Sequence, residues 1–217
     1  MITLNHNFIK NCPRVLLSEL FQDVNSIRKF IKNIEKTCTK YPEIISKFFT
    51  VHDSYNSNPL DVFRGDVFEV FVEFFLKAFQ FSRHIGIIDY EPWDILKEGS
   101  SDYGIDGTGK LNGFHDQEIF VSVQCKYRSN PNYMLTANKD HISNFVAKTL
   151  TLDSIKNRKS QMYIFTTCYG LNKSTNEKMY ENMIRVYGIK EIDKILSNQN
   201  KAFWECFKNS LRVNLAK

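Results

Sequence analysis

The sequence predicts an α/β fold in which helices flank a mixed central β-sheet, with a helical extension in front. Three observations lead there. Asp61–Phe79 carries Phe63, Val67, Val70, Phe71, Phe74 and Phe75 at helical spacing, the pattern of a buried helix. Gln117–Tyr127 alternates, with Val121, Val123 and Cys125 on one face and Ser122, Gln124 and Lys126 on the other, the pattern of a strand. Beyond it, the strand-like Gln161–Thr167 and Ile184–Gly188 alternate with helical segments, as in an α/β sandwich.

In chain order, Val24, Ile27, Phe30, Ile31 and Ile34 place a helix over Val24–Cys38, and Pro42 opens a second that runs through Phe49. The polar, turn-forming His52–Pro59 separates a helical N-terminal extension, residues 1–58, from a main domain, residues 59–217. Ile85–Ile95 reads as strand or irregular structure. The turn-rich Lys97–Gly107 leads into a strand near Tyr103–Asp106, and the turn chemistry of NGFHDQ joins that strand to Gln117–Tyr127 as an antiparallel hairpin. Helices are expected at Lys139–Leu150, Thr175–Met183, Lys190–Ser197 and Lys201–Leu211.

The chain has 217 residues, enough for one good core. A net charge of +5 permits an acidic partner such as nucleic acid without requiring one. Five scattered cysteines with no C-x-x-C argue against a zinc ribbon or a disulfide framework and for reduced thiols. No apolar run reaches membrane-spanning length and MITLNHNFIK does not read as a signal peptide, so the expectation is a cytoplasmic protein with no membrane partner.

Gly104, Gly109 and Lys110 fit G-x-x-x-x-G-K, but Leu111 stands where Ser or Thr should bind magnesium. The loop also leads into LNGFHDQ rather than a helix whose N-terminus holds a phosphate, so a nucleotide loop is rejected. The alternative centres on Asp106. Across the expected hairpin, Gln124 and Lys126 project from the same face as Asp106, and Glu69 arrives from the preceding helix. An Asp between glycines is also an ordinary turn residue, and alternating Gln and Lys an ordinary solvated face. Together, however, the set suits magnesium-dependent phosphodiester hydrolysis. Asp106, the Gln124 amide oxygen, the Cys125 carbonyl and Glu69 are oxygen ligands of the kind Mg2+ or Mn2+ takes. Lys126 would orient a water or offset charge on the phosphate. Glu73 shares a helical side with Glu69 but is the less favoured acid. Asp102 reads as an auxiliary acid or a loop residue, and neither His115 nor His141 has a partner at ligand spacing.

The run GIDG, a hairpin and then VSVQCKY resembles the PD-(D/E)xK nuclease superfamily, and in particular its Mrr-like branch, whose lysine motif is Q-x-K. That branch carries Gly-x-x-Phe-Glu in the preceding helix, matched by Gly65, Phe68 and Glu69; KDHISNF and MYIFTT resemble the helix and strand that follow. The likeness spans about Leu60 to Ile195 and is similar to nuclease modules attached to phage and bacterial helicases and restriction enzymes. It departs in that GTGKLNG follows GID, where an apolar strand is usual.

The resemblance implies a restriction-endonuclease-like core and metal-dependent DNA cleavage leaving a 5′-phosphate and a 3′-hydroxyl. By position Asp106 and Lys126 carry over as catalytic, with Gln124 as their companion and Glu69 as the helix acid. Tyr127, Arg128, Lys139 and Lys148 either meet DNA phosphates or are solvated surface groups. A duplex cut needs two active sites, so a homodimer is one option, and a helicase or other phage or defence protein is another partner. Rivals are a Holliday-junction or recombination nuclease of the same fold, RNA cleavage, and a non-catalytic nucleic-acid-binding or assembly subunit.

Overall fold

The computed structural model describes residues 2–6, 8, 12–52, 58–93, 104–111, 119–172, 183–197 and 200–214. The helices α1 (Arg14–Leu20), α2 (Ile27–Lys40) and α3 (Pro42–His52) lead the elements that the described residues allow to be bounded. The Ser26 hydroxyl caps α2 by accepting from Lys29 N–H, 3.3 Å away. Asn58 caps the long α4 (Pro59–Ala78) through Leu60 N–H, and Pro59 occupies the first helical position, where its missing N–H is no loss. Then come β1 (Ile87–Pro92), β2 (Gly107–Leu111), β3 (Ile119–Lys126), β4 (Met134–Leu135), α5 (Ile142–Lys156), β5 (Ser160–Thr166), β6 (Gly170–Leu171), β7 (Ile184–Tyr187), α6 (Ile189–Leu196) and α7 (Asn200–Asn214).

The main sheet has the order β1-β2-β3-β5-β7. β1, β2 and β3 are antiparallel neighbours, whereas β5 runs parallel to β3 and β7 parallel to β5. The mixed sheet flanked by helices is the expected α/β class, and β2 pairs antiparallel with β3, with its first strand starting later than expected. The two short strands β4 and β6 pair separately.

Both faces of β3 are covered. Val121, Val123, Cys125 and Tyr127 belong to a large apolar cluster with Phe68, Phe71 and Phe75 of α4 and Phe203, Trp204 and Phe207 of α7. Across the sheet, Met162 and Ile164 of β5 pack with Ile142, Phe145 and Val146 of α5. Ser122 and Gln124 pair with Met162 and Ile164, which places them on that second face, buried rather than solvated. The residues before Asn58 share the first cluster: Phe8 meets Phe63, Phe30 meets Phe71 and Phe21 meets Phe207. The core is thus continuous across the expected boundary, whose residues 53–57 lie outside the described ones, as do NGFHDQ, Asp102, His115 and most of Thr175–Met183.

One element differs from its sequence reading. The strand expected near Tyr103–Asp106 begins at Gly107 instead, so GTGKL is β2 itself and not the turn after it. The reason is close approach from β1. A Cβ on Gly107 would sit 2.5 Å from Tyr90 Cζ, and one on Gly109 would sit 2.8 Å from Ile87 Cγ2. Glycine in a strand marks such an approach as readily as it marks a turn.

Candidate active site

Asp106 stands just before β2. Its N–H donates to Val123 O at 2.8 Å, yet Val123 is the residue paired with Gly107. Two consecutive residues therefore oppose one, as in a β-bulge, which re-aims a side chain next to a strand. Gly104, at φ +68°, begins this departure in the left-handed region where glycine is unstrained. Asp106 Oδ2 accepts from Cys125 N–H at 2.5 Å. The carboxylate thus takes the place a main-chain carbonyl would have in an unbroken ladder, and it is held in the seam where β2 leaves β3. A carboxylate offers about four acceptor positions, so this bond orients Asp106 rather than saturating it.

On the α4 side of the seam lie Cys125, Tyr90 and Glu69. Burial pushes the Cys125 thiol well up, and the charges of Asp106 and Glu69 add to this while Lys126 opposes it. Burial likewise raises the Tyr90 hydroxyl, with Asp106, Glu73 and Glu69 among the charges acting on it. Asp106, Glu69 and Lys126 therefore all act on one thiol. Of Cys125, the main-chain carbonyl is the oxygen that a hard cation would take. Lys126 lines a groove of about 570 Å3 together with Asp61, Arg64 and Gly65 from the start of α4.

Gln124 is placed differently from expectation. It lies on the opposite face from Glu69, 1 % exposed, and its Nε2 donates to Gly104 O at 2.9 Å. Its Oε1 is a buried acceptor with no hydrogen-bond partner among the described residues. Such an orphan calls for a water or an ion. On the α4 side of the seam the carboxylates of Asp106 and Glu69 are the oxygen donors, beside the Cys125 thiol. Hard oxygen ligands fit Mg2+ or Mn2+.

Glu73 is a structural acid. It is fully buried and accepts from Asn5 N–H at 2.7 Å, His6 N–H at 3.1 Å and Lys77 Nζ at 2.7 Å. Glu69, one turn earlier, is 28 % exposed and lies 3.1 Å from His6 Nε2. His6, Asp66 and Glu69 each offer a ligand atom, all within 4.8 Å of one another. Sequence reading passed over His6 and Asp66. Asp66 had a signal, since it lies one helical turn before Glu69. His6 had none, because its contact spans 63 residues.

Two of the four expected phosphate contacts are engaged elsewhere. Tyr127 is buried against Phe68, and its hydroxyl donates to Glu35 Oε1 at 2.8 Å. A phenol has one proton to donate, so it is not available to a phosphate. Glu35 also holds Arg64 through both carboxylate oxygens, at 2.9–3.2 Å. Arg128 donates through Nε and an Nη to Asp140, which is 1 % exposed, and to Tyr127 O. Asp140 also accepts from Thr136 N–H at 2.6 Å and from the Tyr133 hydroxyl at 3.2 Å, so Arg128 anchors the β3–α5 connection. Lys139 is exposed and Lys148 half-exposed.

Comparison with protein-family models, curated proteins and solved structures found no match for this chain.

Proposed function

We propose that this chain is a divalent-metal-dependent DNA endonuclease built on a restriction-endonuclease-like core. The succession of α4, antiparallel β1–β3, α5 and parallel β5 supports that core. The observation that carries the reading is the Asp106 carboxylate, fixed in the β2–β3 seam by Cys125 N–H, on the strand whose Cys125 and Lys126 line the groove.

In this reading Asp106, Glu69 and the Cys125 carbonyl would hold Mg2+ or Mn2+. A cation held there would supply Lewis acidity and offset charge on the scissile phosphate. Asp106 arrives oriented by its hydrogen bond, so little order remains to be imposed on binding. Lys126, which lines the groove, would offset the charge that develops on the phosphoryl oxygens. The open space over Gly65, where an added Cβ would meet nothing within 4 Å, leaves the groove wide at the start of α4. Lys139 and Lys148 are the phosphate contacts of this reading, whereas Tyr127 and Arg128 are positioning residues of the loop and groove.

The test is incubation of plasmid, linear, branched DNA and RNA with purified protein and Mg2+ or Mn2+. The wild type cuts DNA. Asp106→Asn, which keeps an oxygen for Cys125 N–H but loses the charge, and Lys126→Ala do not. Cleavage confined to branched DNA or to RNA corrects the substrate, and a wild type that cuts nothing ends the enzyme reading in favour of a binding or assembly role.

A further inference from the structure

The segment before α1 is tied to α4 and β1 by side chain and main chain together. Asn5 and His6 give their N–H groups to the two oxygens of Glu73, and Asn5 Nδ2 donates to Glu91 Oε2 at 2.8 Å. These bonds fix the backbone of residue 6. Its imidazole, 4 % exposed, then reaches Glu69 with Nε2 while Nδ1 accepts from Phe8 N–H at 3.3 Å. A ring nitrogen that accepts an N–H carries no proton of its own, so the ring proton sits on Nε2 and is donated to Glu69. A cation bound through Nε2 would need that proton to leave, or to move to Nδ1 with loss of the Phe8 bond. The hydrogen bonds therefore favour a supporting histidine over a histidine–metal ligand.

We infer that His6 is a positioning residue for Glu69, holding the helix acid in one rotamer for the cation. This makes His6 part of the active site although it lies outside the region of family resemblance. A partly exposed glutamate on a helix has several rotamers, and a buried, immobile donor selects one before the cation arrives. The inference rests on the metal-site reading of Glu69.

The experiment uses the full chain as wild type, His6→Gln and His6→Ala. His6→Gln keeps an N–H donor at the ε position, and because Glu73 binds only the main chain of residue 6, His6→Ala keeps that tie. Nitrogen-15 NMR of the histidine ring should find the proton on Nε2, with a resonance that shifts in Glu69→Gln. Calorimetric titration with Mn2+ should find affinity down about 10-fold in His6→Ala and within about threefold of wild type in His6→Gln, as for loss and retention of an outer-shell partner. The inference is overturned by a proton on Nδ1, by unchanged Mn2+ affinity in His6→Ala, or by His6→Gln as weak as His6→Ala. A wild type that takes up no Mn2+ overturns the metal site itself and the inference with it, so the two failures are told apart.

Discussion

Glu73 and Glu69 lie one turn apart on α4, and replacing each should have opposite consequences. Glu73 is fully buried and accepts from two main-chain N–H groups and from Lys77, whose side chain is 16 % exposed. Glu73→Ala leaves all three donors without that acceptor. A stranded N–H costs about 1–3 kcal/mol, and breaking a buried ion pair costs about 3–5 kcal/mol. The three donors share one carboxylate, so these figures overlap, and a loss of about 4 kcal/mol is expected. For a chain of this size each kcal/mol lowers Tm by about 2–4 °C, so Glu73→Ala should melt about 8–16 °C below wild type. Glu73→Gln keeps the shape and one acceptor oxygen, and should lose about 2 kcal/mol. Glu69→Gln, at a partly exposed site where the amide oxygen still accepts from His6, should melt within about 2 °C of wild type while losing Mn2+ affinity. Circular-dichroism melts and urea titrations measure all three. A fall of under about 3 °C for Glu73→Ala, or an equal fall for Glu69→Gln, would refute the division of labour between the two acids.

Other consequences follow from the packing. Gly107→Ala drives a Cβ to 2.5 Å from Tyr90 Cζ and should cost about 1–3 kcal/mol as overpacking, read as a lower urea midpoint with unchanged m-value. Under native conditions at about pH 8, a thiol reagent should label Cys206 quickly and leave Cys12, Cys38, Cys125 and Cys168 unlabelled, and Cys206→Ser should remove the fast phase. Stability should fall in alkali. Burial pushes Cys38 up to about 11 and Tyr187 up to about 12, against 9.0 and 10.0 for the free groups. The folded state keeps these protons longer than the unfolded chain, so their stabilisation is complete below pH 9.0 and is lost as pH rises through 11 to 12. A flat urea midpoint from pH 8 to 11 would contradict this.

The parts of the fold that could be read from sequence are those fixed by local periodicity. The Phe-rich stripe gave α4 within two residues at its start, and strict alternation gave β3. The parts that could not be read are fixed by distant partners. GTGKL has the composition of a turn, and only Tyr90 and Ile87 arriving from β1 make its glycines strand residues. Tyr127 and Arg128 carry polar tips suited to phosphate, but Glu35 and Asp140 hold them, the first from 92 residues away. Gln124 alternates as a polar-face residue, yet both faces of β3 are covered, so its face is core. The candidate site divides in the same way. Asp106, Glu69, Gln124 and Lys126 were legible as chemistry, whereas the bulge that turns Asp106 into the seam and the histidine behind Glu69 depend on contacts no local pattern encodes.

Anomalous diffraction from a crystal soaked in Mn2+ tests the central claim most directly. The account predicts a peak in the β2–β3 seam, within about 2.5 Å of Asp106 and an oxygen of its neighbours, and no peak in an Asp106→Asn crystal. A peak ligated by His6 and Asp66 without Asp106, or no peak at all, would contradict it.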